Sequence, residues 1–460
     1  MMMKSIVRLS LFIFFNLFSF LTQAQEKGWQ NLFNGKDLSG WKTLGGKAIY
    51  TVEEGVIVGR TVANTRNTFL VTEKEYGDFI LEADVYVEDE EGNSGLQTRS
   101  HFDAAAFNGE GRVYGRQVEV DPSPRRWTGG IYDEGRREWL YPMQLNAAAQ
   151  NLYKKGAYNH FRIECIGNEM KTWVNGVATA YVVDTLDPKG FIGLQVHAIN
   201  SPEHVGKKVC FKNIRIKTTD LQPAPFGANI YVANFVANNL TAYEKNNGWR
   251  LLFDGKSNKG WRSAKSNSFP EKGWLMSNGV LSVEDAQGKE ATNGGDIVTT
   301  EQFAAFDLSF EFKLTPGANS GVKYFVTLAE DSKGSAIGLE YQVLDDTLHP
   351  DAKLGRDGNR TLASLYDLIK AQKQKRFLRP IGQWNVGRII VYPNDKVEHY
   401  LNGVKVLEYI RGSKEYKDLV ATSKYVVWKN FGEAARGHIL LQDHGNEVSY
   451  RSIKIKELKW

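Results

Sequence analysis

The chain spells one long motif series twice. "GWQNLFNGKDLSGW" (Gly28–Trp41) returns as "GWRLLFDGKSNKGW" (Gly248–Trp261), and "NSGLQ" (Asn93–Gln97) returns as "NSGVK" (Asn319–Lys323). "GGIYD" (Gly129–Asp133) is echoed by "ASLYD" (Ala363–Asp367), "WVNGV" by "YLNGV", and "FKNIRIK" by "YRSIKIK". The order never changes, and the spacing is roughly 220–250 residues, so the repeating unit is a domain rather than a solenoid turn. Each copy has about 200 residues, enough for a core of its own. The repeat predicts one domain over residues 26–220 and a second over 241–460. Between them, "LQPAPFGANI" opens a linker over 221–240, and "ANFVANNLTAYEKNNG" supplies a short helix leading into the second copy.

Within each copy the texture is β. "DFILEADVYV" and "FDLSFEFKL" alternate apolar and polar residues, as do "HFRIECI" and "RSIKIKEL". Gly/Asn turns such as "VNGV", "LNGV" and "SNGVL" separate them, the signature of successive hairpins. With no βαβ alternation, the fold class is all-β, an antiparallel sandwich or jelly roll in each copy.

The first residues read as an address. Lys4 and Arg8 precede the apolar run "LSLFIFFNLFSFL", and Thr22-Gln23-Ala24 supplies small residues for cleavage, so residues 1–25 are predicted to be a secretory signal peptide. The expected location is exported, periplasmic or extracellular. No Cys follows the run to carry a lipid, and no later stretch is long and apolar enough to span a bilayer. Formal charge is +5 from 58 basic and 53 acidic residues, without a like-charge cluster, so nucleic acid is not an expected partner. Cys165 and Cys210 stand in strand-like segments. Export permits a disulfide between them, and a pair of buried thiols fits equally.

Two runs raise the question of a site: "IGLQVHA" (Ile192–Ala198) and "ILLQDHG" (Ile439–Gly445). In a strand, residues two apart share a face, so Gln195 with His197, and Gln442 with His444, are expected to point together. On "GLEYQVLDD" Glu340 and Gln342 likewise share a face. Aligning "GRQVEVDP" with it sets Gln117 opposite Glu340 and Glu119 opposite Gln342, an exchange of carboxylate and amide. A strand Glu among apolar neighbours is more often a surface group than a base; repetition favours the site for Glu340 and His444. Asp443 is expected to face away, His399 to be structural, and Asn93 and Asn319 to hold turns.

At "LFNGKDLSGW", the central "NSG", "GLEYQVLDD", "GQWN", "EHYLNG" and "LLQDHG…YRSIKIKEL", both halves resemble the 3-keto-disaccharide hydrolase family. The second copy resembles its usual members, the first a variant subtype. The resemblance implies tandem concanavalin-A-like jelly rolls acting on glycosides whose glucose ring carries a ketone at carbon 3. Such a ketone acidifies the hydrogen on carbon 2, and the glycosidic oxygen on carbon 1 is then a leaving group. Catalysis needs a base, a group that accepts charge at the ketone, and a proton donor for the aglycone; water then completes a hydrolysis, and its omission leaves a lyase.

The resemblance and this chemistry assign catalytic roles to Glu340, His444, Lys323 and Tyr366, with Glu119 and His197 in the first copy. Substrate contacts are expected from Gln342, Gln442 and Asp345, and from Gln97, Arg99, Gln117, Tyr132 and Gln195. A divalent metal held by some of Glu340, His349 and His444 would polarise the ketone; no organic cofactor is expected. The expected partner is a 3-keto-glycoside or another carbohydrate. The competing readings are a lectin-like protein, since this architecture also serves binding, and a division of labour with one catalytic and one binding copy.

Overall fold

A computed structural model describes residues 27–289, 294–328 and 336–459; the leader expected over residues 1–25 lies outside them. Two jelly-roll sandwiches follow one another. Copy 1 stacks a nine-stranded sheet, built around Phe79–Val87, Asn159–Ile166 and Lys208–Lys217, on a seven-stranded sheet containing Ser94–Asp103, Arg112–Val120 and Phe191–Val196. Copy 2 stacks an eight-stranded sheet around Phe306–Leu314, Asn385–Val391 and Val448–Glu457 on a five-stranded sheet. The five run Trp261–Ser263, Ile297–Thr299, His438–Leu441, Asn319–Leu328, Ala336–Leu344. Among the described residues, no helix is long and apolar enough to cross a membrane.

The alternation visible in the sequence decides what fills each sandwich. In Phe79–Val87, Phe79, Leu81, Ala83 and Val85 enter the core. Glu82, on the outer face of the same strand, pairs with Arg162 at 2.8 Å and Arg215 at 2.6 Å. Copy 2 repeats the plan: Phe306, Leu308, Phe310 and Phe312 are core, while Asp307 takes a two-pronged bond from Arg388 at 2.7 and 2.5 Å. Phe79 and its counterpart Phe306 are fully buried, each stabilising the fold by about 1.5–3 kcal/mol.

The segment 221–240 is stitched to both copies. Ala233–Asn234 adds a short parallel strand to Val177–Val183. Tyr231 accepts Tyr141 Oη–H at its carbonyl (3.0 Å), its own hydroxyl meets Ser309 at 2.9 Å, and the Arg388 guanidinium lies 4.1 Å over its ring. The short helix Ala242–Asn246 starts at a capping box, with Thr241 and Glu244 each receiving the other's backbone N–H. Buried Glu244 takes a bond from Lys454 Nζ at 2.6 Å, and Lys454 also donates to the Val232 carbonyl at 3.2 Å. The core of copy 1 includes Trp249, Phe377 and Val404 from beyond the linker, whereas the core of copy 2 is drawn from its own residues.

Candidate active site

The site forms on the outer face of the five-stranded sheet. Val322, Tyr324, Leu339 and Tyr341 turn inward to the core; by alternation Lys323, Glu340 and Gln342 turn outward. Lys323 stands directly across the ladder from Glu340, and Gly321 from Gln342. The glycine of "NSG" makes room for this arrangement, because a Cβ on Gly321 would stand 2.4 Å from Glu340 Oε1. Only a residue without a side chain lets Glu340 lie across the strand. Ser320 fixes the neighbouring edge, donating its hydroxyl to the Gln442 carbonyl at 2.7 Å.

A cavity of about 410 Å³ opens over this face, bringing together Lys323, Glu340, Gln342, Tyr366, Gln442 and His444. Six of the residues singled out from the sequence thus share one chamber. His438–Leu441 ends before Gln442, so strand alternation no longer governs the next residues, and Asp443 also reaches the lining. There it is a scaffold, accepting the backbone N–H groups of Gly295 and Gly445, each at 2.9 Å. Asn319 lies within its strand and lines the cavity rather than holding a turn.

The sequence reading missed the roof. Lys424, Tyr425 and Trp428 close the cavity from the segment 411–437, and Asp296 enters from the strand edge beside it. Ser423 caps the short turn Lys424–Val427; Lys424 N–H bonds to Asp367 Oδ2 at 2.9 Å, and its Nζ lies 4.2 Å over the Tyr366 ring. In copy 1 only 184–190 joins the corresponding strands, so no repeat marked this segment. The aromatic cluster "YVVW" was its one available signal.

Three amide atoms give the chamber its polarity. Asn319 Oδ1, Gln342 Nε2 and Gln442 Oε1 are buried with no hydrogen-bond partner among the described residues, and all three side chains line the cavity. Buried polar atoms are almost always bonded in a folded protein, so two acceptors and one donor converging here fit a hydroxyl-rich ligand. Burial raises the Glu340 carboxyl above its ordinary value and Asp296 adds to this, against the opposing charges of Lys323, Lys424 and His444. A carboxylate made more basic beside cations is suited to taking a proton.

Other expected contacts lie elsewhere. Asp345 spends its carboxylate on the N–H groups of Gly317, Thr347 and Leu348, so it shapes a loop and is absent from the lining. His349 accepts the Asp351 N–H at 3.2 Å and meets the His444 ring edge-on at 6.1 Å. Among the described residues, no three His, Cys, Asp or Glu side chains are gathered as metal ligands. Glu340, His349 and His444 therefore do not fit a preformed three-ligand metal site. His399 is buried between the Tyr324 hydroxyl and the Ala363 carbonyl, a structural residue.

The same face in copy 1 is knit together by side-chain hydrogen bonds, although Gln195 Nε2 and Oε1 have no hydrogen-bond partner among the described residues. Gln97 faces Gln117 across the ladder, and Gly95 faces Glu119, the register of Lys323 with Glu340 and Gly321 with Gln342. Gln97 Nε2 donates to Gln117 Oε1 at 2.9 Å, and Gln117 Nε2 to Glu119 Oε2 at 3.2 Å. Asn93 and Arg125 both donate to Glu119 Oε1, at 2.6 and 2.5 Å. Gln195 is fully buried, and Tyr132 packs edge-on against Trp139 at 5.3 Å. His197 borders a separate hollow of about 250 Å³ with Asn93 and His204. Arg99 leaves the face at a left-handed bulge (φ 46°) to bind the Gly77 and Gly167 carbonyls and Asp78.

Comparison with known proteins places these sites in context. Residues 28–217 and 248–456 each match the family described as the 3-keto-alpha-glucoside-1,2-lyase-like domain. A 3-keto-disaccharide hydrolase of Bacteroides thetaiotaomicron is 37% identical over 232 residues, covering 46% of this chain and 79% of that protein. Among solved structures, a candidate glycosyl hydrolase of Parabacteroides distasonis is 28% identical with a TM-score of 0.43, covering 48% of this chain and all of that one. The carbohydrate-binding module CBM66 of Bacillus subtilis is 20% identical with a TM-score of 0.27, covering 39% of this chain and 95% of its own.

Proposed function

Because the chain belongs to the 3-keto-alpha-glucoside-1,2-lyase-like family in both halves, we propose that copy 2 cleaves 3-keto-glycosides by elimination of the aglycone. The observation that carries this reading is the coincidence, in one cavity, of a buried basic carboxylate with three unpartnered amide atoms. Glu340 takes the proton from carbon 2, and Lys323, opposite it in the ladder, faces the charge that develops toward the ketone. The amides of Asn319, Gln342 and Gln442 hold ring hydroxyls. Tyr366 and His444 lie at the wall from which a proton can pass to the departing oxygen. Water added to carbon 1 completes a hydrolysis. The two-carboxylate geometry of ordinary glycosidases is not required, since the ketone itself activates carbon 2. Export, carried by residues 1–25, would put the enzyme where it meets oxidised sugars.

Incubating the full chain with a 3-keto-disaccharide, the unoxidised disaccharide, and the keto sugar plus chelator tests the reading. Release of the aglycone from the keto sugar alone is expected; equal release from both sugars would overturn the elimination. Loss of turnover on chelation, restored by a divalent ion, would bring a metal into the mechanism. Binding of sugar without turnover would favour the lectin-like alternative.

A further inference from the structure

Lys424 has no part in the roles above, and its setting is unusual for a surface lysine. Its backbone is pinned by Asp367, which also receives Arg360 Nε at 2.7 Å. Its amine lies 4.2 Å over Tyr366 and 5.2 Å over Tyr425, and no carboxylate is in ion-pair contact with it among the described residues. A second lysine, Lys323, lines the same cavity.

We propose, on the basis of the preceding functional reading, that Lys424 is the covalent electron sink of the reaction, condensing with the carbon-3 ketone of the substrate. The neutral amine adds to the carbonyl carbon; the carbonyl π pair moves to oxygen, which takes a proton, giving a carbinolamine. Loss of that oxygen as water leaves a protonated imine. When Glu340 removes the carbon-2 proton, the C–H pair forms a carbon-2–carbon-3 double bond and the imine π pair settles on nitrogen. The resulting enamine pushes back: the imine re-forms, carbon 1 and carbon 2 become doubly bonded, and the aglycone leaves with the glycosidic electron pair and gains a proton. One water adds across the new double bond and another hydrolyses the imine, returning ketone and amine. The water lost at condensation is thus regained, and no oxidant or reductant enters.

Two influences favour a neutral amine here, against the ring faces of Tyr366 and Tyr425, which favour the cation. Desolvation lowers the Lys424 pKa and the Lys323 ammonium lowers it further, against the pull of Glu340. Lys424 is exposed by surface area, so its desolvation is partial and the neighbouring cation adds to it; a second cation beside an imine-forming lysine is an established means of activation. Copy 1 supports the pairing by contrast: Gln97 replaces Lys323 and the Lys424 segment has no counterpart.

Cyanoborohydride added to the full chain during turnover of a 3-keto-disaccharide tests the proposal. Keto-sugar-dependent inactivation is expected, with the reduced sugar adduct mapped by mass spectrometry to the peptide carrying Lys424. Lys424→Arg, which keeps a long nitrogen-bearing side chain beside Tyr366 but cannot form an imine, should trap nothing. It should also lose most of its kcat, because the covalent route is closed. A parent that turns the keto sugar over without an adduct, an adduct on Lys323, or a Lys424→Arg protein of parental rate would each overturn this proposal alone. A parent that does not cleave the keto sugar overturns the functional reading and this proposal together.

Discussion

The two copies share a register and differ in what that register presents. Gln117 stands where Glu340 stands and Gln97 where Lys323 stands. Leu70 and Ile297 occupy the same place opposite Leu194 and Leu441, so the residue before each, Phe69 or Asp296, is matched as well. Copy 1 has exchanged a base, a cation and an acid for two amides and a phenyl ring. Its remaining carboxylate, Glu119, is 3% exposed and bonded to Arg125, Asn93 and Gln117. Duplication preserved the scaffold and register while changing the side chains that one face presents. Burial raises both carboxyls; Glu119 is held by three side-chain donors, whereas Glu340 stands beside Lys323 at an open chamber.

The sharpest way to break this comparison is a matched pair of isosteric substitutions in the full chain. Glu340→Gln should lower kcat on a 3-keto-disaccharide by about a hundred- to ten-thousand-fold, the cost of losing a general base. Glu119→Gln should leave kcat within a factor of two or so, since its site has no base to lose. If Glu119→Gln proved as damaging as Glu340→Gln, copy 1 would be the catalytic half, or an equal one.

The joint between the copies comes next in size. Lys454 and Glu244 are a buried ion pair with side chains 6% and 0% exposed. Lys454→Met leaves the buried Glu244 carboxylate without its cation but still bonded by Thr241 and Asn234, so a loss toward the low end of about 3–5 kcal/mol is expected, read as a lower denaturant midpoint. The loss should fall most heavily on copy 1, whose core draws on Trp249, Phe377 and Val404. Uniform loosening of both copies, seen by hydrogen exchange, would contradict that asymmetry.

Stability should also report on the two carboxylates, and with the same sign. The Glu340 pKa is raised in the fold. Near pH 4 both folded and unfolded chains hold the proton and Glu340→Gln should be neutral. As pH rises past the ordinary carboxylate value, the unfolded chain ionises freely while the folded one resists, so the parent loses stability that the variant keeps. Tm of Glu340→Gln relative to the parent should therefore climb between pH 4 and pH 8. The Glu119 pKa is raised as well, by burial against the pull of Arg125 and Asn93, so Glu119→Gln should slope the same way, offset by the weakened bonds from Arg125 and Asn93. That offset is on the order of 1 kcal/mol once discounted for Arg125, whose side chain is 32% exposed. Melts across pH read both slopes.

How much of this was legible beforehand follows from which interactions repeat. The strands, the register and the Glu340–Gln342 face were readable because period-two alternation and duplication are local signals. Gln442 and His444 were found for an incomplete reason, since their strand ends at Leu441 and the run is held by the Gln442 N–H on the Gly321 carbonyl and by Ser320. Arg99 and Asp345 misled because strand position says nothing of a bulge at φ 46° or of a loop whose N–H groups need an acceptor. Lys424, Tyr425 and Trp428 could not be seen: they reach the cavity through tertiary folding of a segment with no partner in copy 1.

The smallest expected effect tests where the copies are interchangeable. Cys165 lies opposite Phe79 as Val391 lies opposite Phe306, and Cys210 opposite Tyr86 as Ser449 opposite Lys313. Both thiols are free and buried, and burial pushes both pKa values up, leaving little thiolate for nucleophilic attack or metal binding. Neither sulfur lines the cavity around Glu340. Cys165→Val with Cys210→Ser simply writes copy 2's residues into copy 1. It should leave turnover unchanged and cost less than about 1.5 kcal/mol, as near-isosteric core swaps do. The native parent should also resist alkylation that goes to completion in denaturant. A folded double variant without turnover would mean that copy 1 contributes to catalysis through its core, and the division of labour between the copies would have to be redrawn.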